Sequence, residues 1–155
     1  LTLVHRWQGL ITPAGNPKKI KDIEDLTRPD IIFINRQAGS GTRILLDYEL
    51  ARAGIAPDDI VGYRTEEYTH MNVSMAVVSG AADVGLGICA AAKALGLDFL
   101  PITKERYDLV IPTAYREDEK IQILIDIIRS KEFKEKVLAM GGYEVHETGN
   151  IVDQS

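Results

Sequence analysis

Cysteine is almost missing from this chain: Cys89 stands alone among 155 residues. An internal disulfide and a cysteine metal cage are both excluded. The lone thiol fits a reducing compartment, so the expected location is cytoplasmic. Positive charge is not in excess either. The 18 Lys and Arg against 23 Asp and Glu leave a formal net charge of -5, whereas a general nucleic-acid binder would carry a basic patch or stripe. No apolar run reaches the roughly 18 residues that suggest a spanning helix, so no membrane partner is expected. No secretory leader opens the chain. It starts at Leu1, and "LTLVHRWQGLI" reads as a strand already under way. The expectation is a fragment of a longer protein, with the linked domains outside it.

Several signatures of familiar chemistry are also missing. There is no G-x-x-x-x-G-K-[ST], no dinucleotide fingerprint, no C-x-x-C, no H-x-x-x-H and no G-x-S-x-G. Asp83, Asp108, His5, His70 and His146 offer acids and bases, but no pair has a spacing that selects a reaction. Cys89 at a helix start could be a lowered-pKa thiol, though amid "GICAAAKAL" it reads more simply as a small packing residue. Asp83 reads as structural, pairing with a nearby loop or helix end. The expectation is a protein that is not an enzyme and has neither cofactor nor metal.

What is present is an ordinary soluble-domain composition, 45% hydrophobic and 26% charged. "LTLVHRWQGLIT" predicts a strand. "KKIKDIEDL" places Ile20, Ile23 and Leu26 at helical spacing, and "DIIFIN" has the continuous apolar run of a strand covered on both faces. The next helix is predicted from Gly41 to Ala53 with Gly54 as its stop. A short strand is expected around Val61 to Thr65. A helix capped by Thr69 or Asn72 and closed by Gly80 follows. "ADVGLGI" predicts a buried strand, "CAAAKAL" a helix, and "DFLPI" and "YDLVIP" two more strands. Ile121, Leu124, Ile125 and Ile128 form an amphipathic stripe, and Ser130 recaps a last helix that ends at Gly141 and Gly142. This alternation predicts an α/β fold with a mainly parallel sheet.

In such a fold, ligands gather at the carboxyl ends of strands, where helices begin. "NRQAGSGTR", residues 35 to 43, lies at one of these places. Gly39 and Gly41 allow a sharp turn and close backbone approach. Unpaired amides at the helix start favour an anion. Ser40 and Thr42 each bring a hydroxyl, and Arg36 and Arg43 bring charge. A plain helix cap at Ser40 accounts for the same residues. Thr69, His70 and Asn72 would crown a second strand end, although a lone His70 reads more simply as a surface or partly packed residue. The glycines at 85 and 87 would leave room at a third.

The stretches "VHRWQGLITPAGNPKKIKDIEDL", "FINRQAGSGTRILLDYEL", "GYRTEEYTHMNVSMAVVSGAADVGLGICAAAKALGLDFLPI" and "YDLVIP" span residues 4 to 112, and "GGYEVHETG" near the end is in keeping. Together they resemble the type 2 periplasmic-binding-protein superfamily. Within it they are similar to the PBP-like domains appended to helix-turn-helix regulators and to molybdopterin-biosynthesis (MoeA-type) proteins. The resemblance implies a two-lobed α/β fold with ligand held between lobes, of which this chain supplies mainly one lobe plus hinge strands. Residues 1–30 would be the hinge and crossing segment, 31–105 the second lobe, and 106–155 the return strand and C-terminal helices. The first lobe would be largely missing.

Carried over, Ser40, Gly41 and Thr42 would give hydroxyl and amide donors, Arg36 or Arg43 the charge, and "YTHMN" a second donor set. The implied function is non-catalytic sensing of a small oxyanion, molybdate or tungstate, by clamshell closure. Its setting would be molybdenum-cofactor metabolism or transcriptional regulation, with no direct nucleic-acid contact by this domain. The alternative is a regulatory domain recognising a pterin-like molecule or a protein partner, with Tyr63, Tyr68 or Tyr107 as aromatic walls. Surface left bare by a missing lobe would favour a homodimer.

Overall fold

The computed structural model describes residues 1–152. The chain divides into two compact units, one formed by Gln8–Thr103 and the other by Leu1–Trp7 with the chain from Lys104 onward. Two strands, β1 (Thr2–Thr12) and β5 (Asp98–Asp108), each contribute residues to both units.

In the Gln8–Thr103 unit, β2 (Phe33–Arg36), β3 (Glu66–Glu67) and β4 (Val84–Ile88) join β1 and β5 in the order β3-β2-β4-β1-β5. β2 runs parallel to both β3 and β4, whereas β1 runs antiparallel to β4 with Gln8 opposite Ile88. The sheet is therefore mixed rather than mainly parallel. Parallel neighbours need a crossover connection: α1 (Gly41–Ala53) lies between β2 and β3, and α2 (His70–Val78) between β3 and β4.

Alternation along each strand sorts the core onto two faces. Leu10, Phe33 and Leu86 pack with Leu46 and Leu50 of α1. Ile11 and Ile34, the next residues along, pack with Val73 and Val77 of α2 and with Ala92 of α3 (Cys89–Ala94). The helices therefore cover opposite faces, as the buried runs of β2 and β4 require.

Three expected elements differ. Ile20, Ile23 and Leu26 are buried as their spacing implies, but helical backbone is confined to a 3-10 turn at Glu24–Thr27. Asn16 diverts the segment before it, accepting from the Ile20 amide (3.0 Å) and donating to its carbonyl (2.7 Å). The third strand lies at Glu66–Glu67 instead of Val61 to Thr65, because Gly62 turns there at φ +92 against the Phe33 backbone. "DFLPI" and "YDLVIP" are not two strands: β5 is continuous through Pro101 to Asp108. An edge strand tolerates the missing proline donor.

In the other unit, β6 (Tyr143–Glu144) pairs antiparallel with β1, setting His5 opposite Glu144 and Arg6 opposite Tyr143. Ser130 ends α4 (Glu119–Arg129), then caps α5 (Lys131–Met140) by accepting from the Phe133 amide at 3.2 Å. Of the four-residue stripe on α4, only Ile125 and Ile128 are buried. The Lys104 ammonium, 3.0 Å from Glu144, holds that carboxyl below its ordinary range. No helix among the described residues is long and apolar enough to cross a membrane.

Candidate functional site

The carboxyl end of β2 leads through Gln37 to Gly39 into α1. Gly39 turns at φ +84, a conformation open to glycine at little cost. Ser40 is the helix cap: its Oγ accepts from the Arg43 amide at 3.2 Å and its carbonyl from Ile44 at 3.0 Å. Its own O–H remains a donor. The amides of Gly41 and Thr42 make no hydrogen bond among the described residues, as expected of the first helical turn. A Cβ at Gly41 would meet nothing within 4 Å. The turn thus leaves two amides and one hydroxyl proton without an acceptor among the described residues.

Thr42 differs from expectation. It is 4% exposed, and its hydroxyl donates inward to Gln8 Oε1 at 2.6 Å. The Thr42 amide stays available, but its hydroxyl does not. Gln8 sits opposite the last residue of β4, so this bond ties α1 to the strand-end edge of the sheet. Thr42→Val keeps the shape but removes the donor. A loss of about 1–2 kcal/mol in stability is expected, measured by urea unfolding, with Thr42→Ser nearer the parent.

The two arginines divide. Arg43 donates to Asp47 (3.1 Å) and Glu66 (2.9 Å) and stacks on Tyr63 at 4.2 Å. Burial works against its charge, but the bonds with Tyr63 and Asp47 outweigh it and hold its pKa above the ordinary value. The Tyr63 phenol, which donates to Asp47 at 2.6 Å, is pushed up first by burial and then by that carboxylate. Arg43 is thus neutralised within its own cluster. Arg36 is buried at the strand end, with Nε on Gln37 Oε1 (3.1 Å) and Nη2 on the Tyr68 carbonyl (3.1 Å).

The second helix start lies beside the first: Gln37 donates to the Glu67 carbonyl at 3.1 Å, and α2 begins three residues later. Thr69 caps it, accepting from the Asn72 amide at 3.0 Å. The Asn72 side chain donates to Glu67 at 3.1 Å. The Met71 amide has no hydrogen-bond partner among the described residues. His70 is half-buried over β4, where a Cβ at Gly87 would come within 3.5 Å of its Nδ1. A Cβ at Gly85 would lie 2.4 Å from Val73. These glycines let α2 settle on the sheet and do not leave room for a guest. Both helix starts reach one edge, from opposite faces.

Asp83 accepts from the Ile32 amide at 2.8 Å, and Cys89 is buried, both in structural roles. Tyr68 is 71% exposed next to Thr69. Tyr107, His5, His146 and Asp108 belong to the other unit. The residue that sequence reasoning missed is Gln8. Its signal was a polar side chain in the otherwise apolar run that continues "GLI".

A family described as the PBP superfamily domain matches residues 1–129. The Bacillus subtilis (strain 168) protein YvgK is 37% identical over 98% of this chain, and the chain spans 49% of that protein. A Clostridium pasteurianum protein from the ferredoxin 2Fe-2S gene 5' region is 39% identical, with 72% of this chain and 99% of that protein covered. Among solved structures, L-phospholactate-bound PEB3, a protein of Campylobacter jejuni, aligns with a TM-score of 0.63 at 17% identity, covering 94% of this chain and 68% of that one. A Clostridium perfringens substrate-binding protein with bound phosphate aligns at TM-score 0.62 and 17% identity, covering 90% and 69%. A substrate binding domain assigned to a molybdenum ABC transporter of Clostridium difficile aligns at 0.60 and 18%, covering 93% and 65%.

Proposed function

Because this chain belongs to the PBP superfamily domain family, we propose that its strand-end edge binds a small oxyanion, without catalysis, as the sensing step of a longer protein. The observation that carries this reading is the first turn of α1, where the Gly41 and Thr42 amides and the Ser40 O–H have no hydrogen-bond acceptor among the described residues. Helix starts of this kind favour negative charge through unpaired N–H groups and the helix dipole. The buried Arg36 adds a fixed positive charge, bonded to Gln37 and to the Tyr68 carbonyl just before α2. Arg43 is left out of the ligand set, since its charge is spent on Asp47 and Glu66. Thr69 and the start of α2 would supply the second set of donors.

The groups left over at this turn are donors. Molybdate and tungstate carry no proton near neutral pH and need only donors, whereas hydrogen phosphate also needs an acceptor for its proton. That asymmetry supports a proton-free dianion, of which molybdate, tungstate and sulfate are examples, over hydrogen phosphate. Closure of the longer protein would follow from tighter binding to the closed state. Tyr68, exposed beside Thr69, favours a second reading in which the anion belongs to an organic molecule of pterin-phosphate type.

Calorimetric titration of the full-length protein with molybdate, tungstate, sulfate and phosphate tests the proposal. Molybdate and tungstate should bind at least about tenfold more tightly than phosphate, which corresponds to roughly 1.4 kcal/mol. Absence of heat and of any melting shift with all four would refute the inorganic reading.

A further inference from the structure

The unit formed by Leu1–Trp7 and the chain from Lys104 onward contains a cluster that the oxyanion reading does not use. We propose that His5, His146 and Glu147 form a binding site for a divalent late-transition cation, with zinc as its representative. His5 Nε2 lies 2.5 Å and His146 Nε2 3.9 Å from the same oxygen, Glu147 Oε2. One donor atom from each residue lies within 4.8 Å of the others. The two imidazoles stack at 4.9 Å between centroids, tilted by 16°. Ligand atoms around a tetrahedral zinc with bonds of 2.0–2.1 Å stand about 3.3 Å apart. The donor atoms lie near that spacing, and coordination would turn the imidazoles out of their stack, because near-parallel rings cannot both aim an in-plane lone pair at one ion.

The donor chemistry selects the metal class. Two imidazoles with one carboxylate suit zinc, copper or nickel, while magnesium and calcium prefer all-oxygen shells. Three protein ligands leave a fourth tetrahedral position for water.

The backbone already holds these side chains in place. Glu144, opposite His5 in the β1–β6 pair, lies 3.6 Å from His146 Nδ1 and is anchored by Lys104. At this length it is an approach and not a hydrogen bond; closed up around a bound ion, it would become the carboxylate–imidazole bond that leaves Nε2 facing the metal. The turn bearing His146 and Glu147 is pinned to β1 by three bonds. Thr148 Oγ1 donates to the Leu3 carbonyl (2.8 Å), the Gly149 amide to Thr2 (2.9 Å), and the Thr2 amide to Asn150 (2.8 Å). A turn fixed in this way leaves side-chain order, and not backbone order, as the cost of binding.

The test uses full-length protein without a polyhistidine tag, stripped with a chelator. Zinc chloride is titrated by calorimetry, and cobalt(II) chloride by its visible absorption, which distinguishes tetrahedral from octahedral coordination. One saturable equivalent of zinc and a tetrahedral cobalt spectrum are expected, with no comparable uptake of magnesium. His146→Ala changes an exposed side chain, so the metal-free melting temperature should hold while zinc affinity falls at least tenfold. Glu144→Gln should weaken binding by about tenfold through orientation alone. Failure to take up a saturable equivalent, or equal affinity in His146→Ala and Glu147→Gln, would overturn the proposal. Because none of these residues belongs to the oxyanion turn, either reading can fail without the other.

Discussion

Gly9→Ala should cost the chain about 3 kcal/mol or more of stability, at the upper end of overpacking effects. A Cβ at Gly9 would lie 2.1 Å from the Leu100 carbonyl oxygen and 2.8 Å from its carbon. The obstruction is backbone, so no rotamer change relieves it, and β1 and β5 must separate where they now touch. The neighbours Gln8 and Leu10 are each almost fully buried, so the strand has no slack on either side. For a chain of this length, the loss corresponds to a drop of roughly 10 °C in melting temperature. Calorimetric melting checks it. A melting temperature within 2 °C of the parent, on the order of a surface change, would mean that the strands are not this close.

Ser40→Asp should nearly abolish oxyanion binding without weakening the fold. Aspartate caps helices about as well as serine, and a carboxylate at a helix N-terminus is favoured by the dipole. The variant should therefore melt at or slightly above the parent temperature. The new charge would occupy the amides of α1 and repel an incoming dianion. A loss of a hundredfold or more in affinity is expected, about 2.7 kcal/mol, read by the same titration. Unchanged affinity in a well-folded Ser40→Asp protein would place the ligand elsewhere. A protein that lost both binding and melting temperature would instead make Ser40 only a cap.

The parts of the fold legible in the sequence were those with local causes. The limits of α1 follow from a serine cap and from Gly54, which stands at φ 70. Recapping at Ser130 and the covered strands β2 and β4 have equally local causes. The misread strands share a different origin. Residues 103–106, polar and charged, separate the two expected strands, but β5 runs through them at the sheet edge. Gly62 looked compatible with a strand, but the backbone of Phe33 requires a turn there.

The site divides in the same way. Helix-start amides could be anticipated from "GSGT" alone. The inward turn of the Thr42 hydroxyl depends on Gln8, 34 positions earlier. Neutralisation of Arg43 depends partly on Glu66, 23 positions later. The purpose of the glycines at 85 and 87 became clear only with Val73, His70 and Ile11 packed against them. Side chains that meet through tertiary structure leave no mark in the spacing of one short motif.

The single thiol, buried at the start of α3, makes the chain its own stopwatch. Alkylation by a water-soluble maleimide is faster in moments when the helix lifts from the sheet. The slow-reagent limit gives the equilibrium for that lifting and the fast limit its rate. No label or engineered residue has to be added to read either one.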